Sequence, residues 1–416
     1  MQYENVSFIK KIRTRGIAWL LARLLQETQR RTSFVGKFLR PLILVAYWVI
    51  MLPINKRKAL KSKKKTSTNT LYLFYDLEVS PITFDFAWAL VLADCERKRR
   101  GLAYIQVVFV PGKKEGLREE DPEYEAQINQ FTRSWRSHEI LYSLCHLLPQ
   151  CLGVTLCASR EEANILCERV RPHVFPKYYN VIFPIAHTAS QALAFKDNTM
   201  SVMTLRATIP ALHYIKQWLE PRLGNRKLIT ITLRQSSYMP VRNSNLSAWA
   251  EFAASLSAEE FYVVFLPDTE ASLLKTPAFL RGFVCFMEPC WNLNLRAALY
   301  EISYLNLGVN NGVMALCWLN DTCRYITFKM LVPEAPQTTK EAFKSHGFSI
   351  GASLPFAGKF QKWVWEEDAV EVIQHEFNLM CHLIESERDF TVAHLQTGYA
   401  DLLRDCSNWS ASPPRH

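Results

Sequence analysis

The chain has 416 residues, 49% of them hydrophobic, and a formal net charge of +10. This length leaves room for about two or three domains with cores of their own, and the apolar content is that of a folded protein. Residues 1–65 carry 16 Lys and Arg against two acids, a net charge of +14, which leaves −4 for the remainder. A mildly acidic body argues against a nucleic-acid partner, because that would need basic charge spread over the folded domains.

The 11 cysteines are scattered, and no two have the CxxC spacing of a metal or redox site. Cys285 and Cys317 lie in apolar, strand-like runs, where a cysteine is usually a small buried hydrophobic residue. The cysteine usage therefore indicates a reducing compartment, the cytosol.

Residues 1–66 are predicted to be a basic, amphipathic, membrane-associated segment. Residues 9–25 mix apolar and basic residues as an interfacial helix does. The apolar run 42–54 is 13 residues long. As a helix it would span about 20 Å, less than the ~30 Å hydrocarbon core. Lysines in 61–65 suit an anionic membrane surface. We expect a peripheral or monotopic anchor on the cytoplasmic face of the inner membrane. A short true span and a core helix of a soluble domain are the alternatives.

The first predicted domain covers residues 67–222. It begins with a strand at 71–77, a helix at 82–98 and a second strand at 105–110, which together form a parallel β-strand, helix, β-strand unit. Further elements are predicted at 124–148 (helix), 152–156 (strand), 161–169 (helix after Ser159), 202–205 (strand) and 209–218 (helix), followed by a linker at 220–224.

The second predicted domain, residues 223–382, starts with two runs that are apolar and β-branched, 228–233 and 261–266, as strands buried on both faces are. A helix between them, capped by Asn243 or Ser244, completes a second such unit. Later elements are predicted at 283–286 (strand), 294–305 (helix), 325–330 (strand) and 365–382 (closing helix), and residues 383–416 are predicted to be a C-terminal helix and tail. The fold class is therefore α/β, with two Rossmann-like domains facing across a cleft.

Ligands of open α/β sheets bind at the carboxyl ends of the strands. Arg234, Arg242 and Asn243 follow the first strand of the second domain and precede a helix. A guanidinium fork and free helix N–H groups both favour a diphosphate. The alternative is a pair of solvated surface arginines.

Three further groups of residues are candidates at strand ends. Asn310, Asn311 and Gly312 precede an apolar run that can open a helix under a phosphate, although Asn-Gly is also a hairpin-turn signal. The acids that end two strands can contact a ribose hydroxyl, balance the arginines, or cap helices. They are Asp268 and Glu288.

Carboxylates around the first strand are candidates for the general base that deprotonates an acceptor hydroxyl. Asp76 and Asp85 are the two we select, beside Glu78, with His187 a weaker candidate. Helix caps and surface acids are the commoner roles for such residues.

Motifs that the sequence lacks argue against several classes of enzyme. The chain has no GxGxxG and no GxxxxGK[ST], which argues against dinucleotide oxidoreductases and P-loop NTPases. No Asp-x-Asp follows a strand, which argues against a metal-dependent sugar transferase. We therefore expect no metal and no cofactor, with arginines and helix N-termini offsetting the charge of a leaving diphosphate.

The second half resembles bacterial glycosyltransferases of the two-domain GT-B architecture that act in surface polysaccharide synthesis. The resemblance rests on residues Thr232–Arg234, Arg242–Asn243, 263–270, 292–300 and 305–312. The resemblance is weaker at 80–86 and spans residues 70–380. It implies that a nucleotide-sugar donor binds the C-terminal domain and the acceptor binds the N-terminal one. Val313 stands where related phosphate loops often have Pro.

The expected function is that of a hexosyltransferase-like enzyme that passes a sugar from a nucleoside-diphosphate sugar to a surface-polysaccharide or lipid-linked glycan acceptor. Its expected partners are the nucleotide sugar, the acceptor and an anionic membrane surface. A sugar-nucleotide epimerase of the same fold and a non-catalytic, membrane-bound assembly partner are the alternatives.

Overall fold

The computed structural model describes residues 68–387, except 121, 178, 183, 185, 187–188, 190, 193–200 and 270–279. Within this part the chain forms two parallel β-sheets, one of four strands and one of six. The mixed α/β architecture predicted from the sequence is confirmed. The basic segment 1–66 and the tail beyond residue 387 lie outside the described residues. No helix in the described part is long and apolar enough to cross a membrane.

The first sheet has the strand order β3-β2-β1-β4, and every pair is parallel. β1 and β2 pair in register from Thr70 opposite Tyr104 to Asp76 opposite Val110, and their last four residues are buried. The first β-strand, helix, β-strand unit is therefore as predicted. The strands are β1 (Thr70–Asp76), β2 (Tyr104–Val110), β3 (Cys151–Leu156) and β4 (Val174–Phe175).

The helices of this half depart from prediction at two places. The helix expected from residue 82 starts at Phe86. The single helix expected over 124–148 is broken, because the Asn129 side chain accepts a hydrogen bond from the Thr132 backbone N–H at 2.9 Å and starts a new helix there. The helices are α1 (Phe86–Arg99), α2 (Pro122–Gln127), α3 (Gln130–Arg136), a π-helical turn (Ser137–Tyr142), α4 (Ser143–Cys145), α5 (Arg160–Arg169) and a 3-10 turn (Arg171–His173). The strand expected at 202–205 is wrong, since only an isolated bridge joins Thr204 to Asn320.

The second sheet has the order β10-β9-β8-β5-β6-β7, again with every pair parallel. β5 lies at its centre, between β6 on one side and β8 on the other. The chain runs from β5 through β6 to β7 on one side and then crosses back to β8, β9 and β10 on the other. The strands are β5 (Lys227–Thr232), β6 (Phe261–Leu266), β7 (Val284–Cys285), β8 (Leu305–Val309), β9 (Tyr325–Phe328) and β10 (Gln361–Trp363). Such a sheet has its ligand crevice at this reversal, between the carboxyl ends of β5 and β8.

Several elements in the second half differ from prediction. The helix expected over 294–305 ends at Ile302, and β8 was not predicted. The strand expected over 325–330 ends at Phe328. The helix expected to end at residue 218 runs on to Leu223, where Gly224 with φ 57° ends it. The helix after β5 is capped by Asn245, not by Asn243 or Ser244. The closing helix starts at residue 370, because 361–363 form the edge strand β10. The helices are α6 (Ile209–Leu223), α7 (Leu246–Ser255), α8 (Glu288–Trp291), α9 (Leu293–Ile302), α10 (Ala315–Trp318), α11 (Lys340–Ser345) and α12 (370–387).

The two halves share one hydrophobic core, so they meet as packed surfaces. Helix α6 packs on α9, and the rings of Trp218 and Phe286 stack with centroids 3.9 Å apart. On the other side the α1 residue Trp88 meets Phe356 edge to face. This packing fixes the carboxyl ends of the two sheets on either side of a common cleft.

Asp76 is the buried ionic centre of the first half. It is fully buried at the end of β1 and receives both terminal nitrogens of Arg160 at 2.8 and 3.0 Å. The Tyr179 hydroxyl donates to the same carboxylate at 2.6 Å. Asp76 therefore ties β1 to α5 and to the segment that follows β4.

We expect Asp76→Asn to lower the free energy of unfolding by about 3 kcal/mol, because removing one charge of a buried pair leaves the other uncompensated. The measurement is urea unfolding. Asp85→Asn, at an exposed aspartate, is the matched control and should change stability by less than about 0.5 kcal/mol. Equal stability of the two variants would contradict this role for Asp76.

Candidate functional site

A cleft of about 1050 Å³ lies between the two halves, over the carboxyl ends of β5, β6 and β8. Both halves contribute to its walls. Seven of the residues selected from the sequence line it: Asp85, Arg234, Arg242, Asp268, Asn310, Asn311 and Gly312.

The buried guanidinium of Arg234 organises the loop after β5. It donates to the backbone carbonyls of Met239 at 3.0 Å and Tyr238 at 2.6 Å, and to the side-chain oxygen of Asn243. Met239 adopts a left-handed backbone with φ 54° at this point. Arg234 thereby folds the loop back on itself, so that the next residues form a 3-10 turn, Pro240–Arg242, facing the cleft.

Arg242 is a cation without an anionic partner. One terminal nitrogen donates to the Asn310 backbone carbonyl at 3.1 Å, while its Nε is buried and makes no hydrogen bond. No carboxylate in the described part of the chain forms an ion pair with it. Burial and the neighbouring Arg234 lower the pKa of Arg242 to about 10, so it stays charged at neutral pH. A charge held this way favours an incoming anion.

The loop after β8 begins a helix. The Asn311 side chain accepts from the Val313 backbone N–H at 2.8 Å and caps a 3-10 turn, Gly312–Met314, which leads into α10. The Asn310 side chain donates to the Met330 carbonyl at 3.2 Å and holds this loop against the loop after β9. The hairpin-turn alternative for Asn-Gly is therefore wrong, and the loop opens a short helical segment at the cleft wall beside Arg242.

Gly312 is the contact point between this loop and the first half. A Cβ at residue 312 would lie 3.0 Å from the Phe84 ring and 3.1 Å from the Phe84 Cβ. The close approach explains why a residue without a side chain stands here.

Two of the carboxylates selected from the sequence face the cleft from different walls. Asp268 follows β6 and accepts from the Gln235 backbone N–H at 3.1 Å, which joins the loops after β6 and β5. Asp85 is exposed at the start of α1 and accepts from the Thr83 hydroxyl at 2.9 Å. The negative charge of Asp85, on the opposite wall, interacts with Arg242 and partly offsets the lowering of the Arg242 pKa.

The remaining selected residues do not line the cleft. Asp76 is held in its buried ion pair, and Asn243 binds Arg234 and both the backbone N–H and the carbonyl of Ser236, which makes it part of the loop's framework. Glu288 is exposed in the first turn of α8. His187 lies outside the described residues.

Sequence reasoning missed Arg296, which is 4% exposed and lines the cleft from α9. Its Nε donates to the Tyr300 hydroxyl at 2.9 Å, and that hydroxyl lies 2.7 Å from the Thr232 hydroxyl at the end of β5. The available signal was an arginine four residues before a tyrosine on an otherwise apolar helix. Arg296 adds a further buried positive charge to the cleft wall.

In the described part of the chain no group of three His, Cys, Asp or Glu side chains is arranged to hold a metal ion.

No protein-family model and no curated protein matches the chain. Among solved structures it is similar to E. coli ADP-heptose lps heptosyltransferase II, at 11% identity and a TM-score of 0.46 over 76% of this chain and 99% of the other. A glycosyl transferase of family 9 from Veillonella parvula matches at 11% identity and 0.42, over 75% and 97%. The wall teichoic acid polymerase TagF matches at 10% and 0.29, over 91% and 100%. The first two, a heptosyltransferase and a glycosyl transferase, have names of the class to which the sequence resemblance points. At such identities and scores, the function has to be inferred from the site.

We expect Gly312→Ala to lower the free energy of unfolding by about 1–3 kcal/mol, because the added methyl group overpacks against Phe84. Urea unfolding measures it. Gly358→Ala is the matched control, since a Cβ there meets nothing closer than 3.7 Å. In a chain that carries Phe84→Ala, the Gly312→Ala substitution should lower the free energy of unfolding much less. An equal loss of stability with and without Phe84 would rule out this contact as the cause.

Proposed function

We propose that the protein is a glycosyltransferase that moves a sugar from a nucleoside-diphosphate sugar to a glycan acceptor. The observation that carries this proposal is Arg242, a half-buried cation without an anionic partner beside a helix-opening loop, with the carboxylate of Asp85 on the facing wall. A site that joins an anion-binding wall to a carboxylate across a cleft suits transfer of a group away from a diphosphate.

The diphosphate would bind between the loops after β5 and β8. Arg242 would pair with it through its free Nε, beside the turn at 312–314. Arg234 supports this arrangement by holding the loop, because its own donors are used on loop oxygens. Asp268, at the end of β6, suits a ribose hydroxyl. We infer that these cations take the place of a divalent metal.

Asp85 is the proposed general base. It would accept the proton of an acceptor hydroxyl as that oxygen forms a bond to the anomeric carbon. The bond from that carbon to the diphosphate oxygen breaks, and Arg242 offsets the charge of the departing diphosphate. Asp85 suits this role because it is exposed to the cleft, whereas Asp76 is enclosed by Arg160 and Tyr179.

A surface-polysaccharide or lipid-linked glycan is the acceptor class that we propose. The basic, amphipathic sequence of residues 1–66 supports this, because an anchor on the cytoplasmic face of the inner membrane would hold the cleft near such acceptors.

We expect Arg242→Gln to weaken binding of the preferred nucleoside diphosphate by about 2–4 kcal/mol, roughly 30- to 1000-fold, because the diphosphate loses its buried cationic partner. Titration calorimetry with UDP, GDP, CDP, ADP and CMP measures it. Arg222→Gln, which removes an exposed arginine near the opposite end of β5, is the matched control and should bind as the unmodified chain does.

If no nucleotide binds the unmodified chain, the proposed function is contradicted. Equal affinity of Arg242→Gln and Arg222→Gln for the nucleoside diphosphate would contradict the role proposed for Arg242.

We expect Asp85→Asn to lose about 100-fold or more in transfer rate while its affinity for the nucleotide sugar is kept, because only the base is removed. The assay follows release of nucleoside diphosphate in the presence of membrane glycan, with and without excess EDTA. Glu139→Gln, at another carboxylate of the same wall, is the control. Full activity of Asp85→Asn, or activity abolished by EDTA, would refute the mechanism, and conversion of the free nucleotide sugar without acceptor would indicate an epimerase.

A further inference from the structure

The reversal of strand order at β5 divides the cleft into two sides. Over β6 and α8 it is lined by Asp268, Thr269 and Arg296. Over β9 and β10 it is lined by a group of apolar side chains that we call the aromatic recess: Trp88, Trp318, Met330, Phe343, Phe348 and Trp363. The anion-binding loops lie between the two sides, so a diphosphate held there directs its two ends in opposite directions.

Trp363 is at the centre of the aromatic recess. Its ring lies 5.3 Å from Trp318, 5.6 Å from Phe348 and 6.4 Å from Phe343, centroid to centroid, in edge-to-face or tilted arrangements. Such packing holds the rings in fixed orientations and presents apolar surface to the cleft. The recess is therefore preformed by contacts among its own members.

One polar atom in the recess lacks a partner. Trp363 is 4% exposed, and its indole N–H makes no hydrogen bond. The neighbouring Trp318, by contrast, donates its indole N–H to the Thr327 hydroxyl at 2.9 Å. An unsatisfied buried donor costs free energy, so a hydrogen bond from the Trp363 N–H to a ligand oxygen would be favourable. The surrounding side chains would have to move slightly to admit that oxygen.

The recess also borders the proposed base. Trp88 is three residues after Asp85, one turn further along α1, so both side chains belong to the same face of that helix. Phe84, just before Asp85, touches Gly312 of the loop after β8. A group in the recess thus lies next to both the diphosphate loop and Asp85.

We propose that the aromatic recess binds the transferred sugar of the donor, with the nucleoside on the Asp268 side. This inference rests on the proposed function. The anomeric carbon must face the base, and Asp85 is on the recess side. The sugar's apolar C–H face would pack on the rings, and one of its oxygens would accept from the Trp363 N–H, a combination of apolar lining and few polar contacts typical of small-molecule sites.

The experiment compares each nucleoside diphosphate with its sugar conjugate on the full-length chain by titration calorimetry, using UDP and UDP-glucose, GDP and GDP-mannose, and ADP and ADP-glucose. For the pair that binds, the sugar should raise affinity. Trp363→Phe, which removes the indole N–H, and Phe348→Ala, which removes a ring, should each weaken binding of the conjugate by about fivefold to tenfold and leave the diphosphate unchanged.

Phe348→Tyr keeps the ring and should retain the affinity of the conjugate. Tyr214→Ala, at a ring that is 44% exposed outside the cleft, is the control for loss of an aromatic residue. Equal affinities for diphosphate and conjugate, or variants that weaken both equally, would overturn the recess as a sugar site while the proposed function stands. If none of the six compounds binds, and neither CDP nor CMP does, the proposed function fails, and this inference fails with it.

Discussion

The candidate site depends on the hydrogen bonds of one buried guanidinium, that of Arg234. Its donors are used on the oxygens of Tyr238, Met239 and Asn243, which closes the loop after β5 into a compact turn. That turn holds Arg242 in its place, where desolvation and then the nearby charge of Arg234 lower the pKa of Arg242. The two arginines that the sequence places eight residues apart therefore have different roles: one shapes the loop and the other is left unpaired in the cleft wall.

The sheets were largely predictable from sequence, because buried parallel strands are short apolar runs and consecutive ones are joined by amphipathic helices. β1, β2, β5 and β6 were found within a residue of their ends. The errors have local causes. Asn129 caps a new helix in the middle of an apolar stretch, and Pro221 lies inside α6, where proline usually marks a linker.

The site was predictable in part. Residues at strand ends, such as Arg242 and Asp268, were selected because chain order places every strand's carboxyl end at the same edge of the sheet. Asp76 has an equivalent position in sequence, but its burial depends on Arg160, which is 84 residues away in the chain. Arg296 and Trp363 were missed because their positions depend on long-range packing, which no local sequence pattern predicts.

The contact of Phe84 with Gly312 makes the anion-binding loop part of the joint between the two halves. Any opening of the cleft would separate them and remove support from the loop. A ligand that orders this loop would therefore favour the closed arrangement of the halves, and closure would in turn tighten the ligand's binding, since linkage between two equilibria is reciprocal. If the proposed function holds, donor binding and closure of the cleft would be coupled through the contact at this glycine.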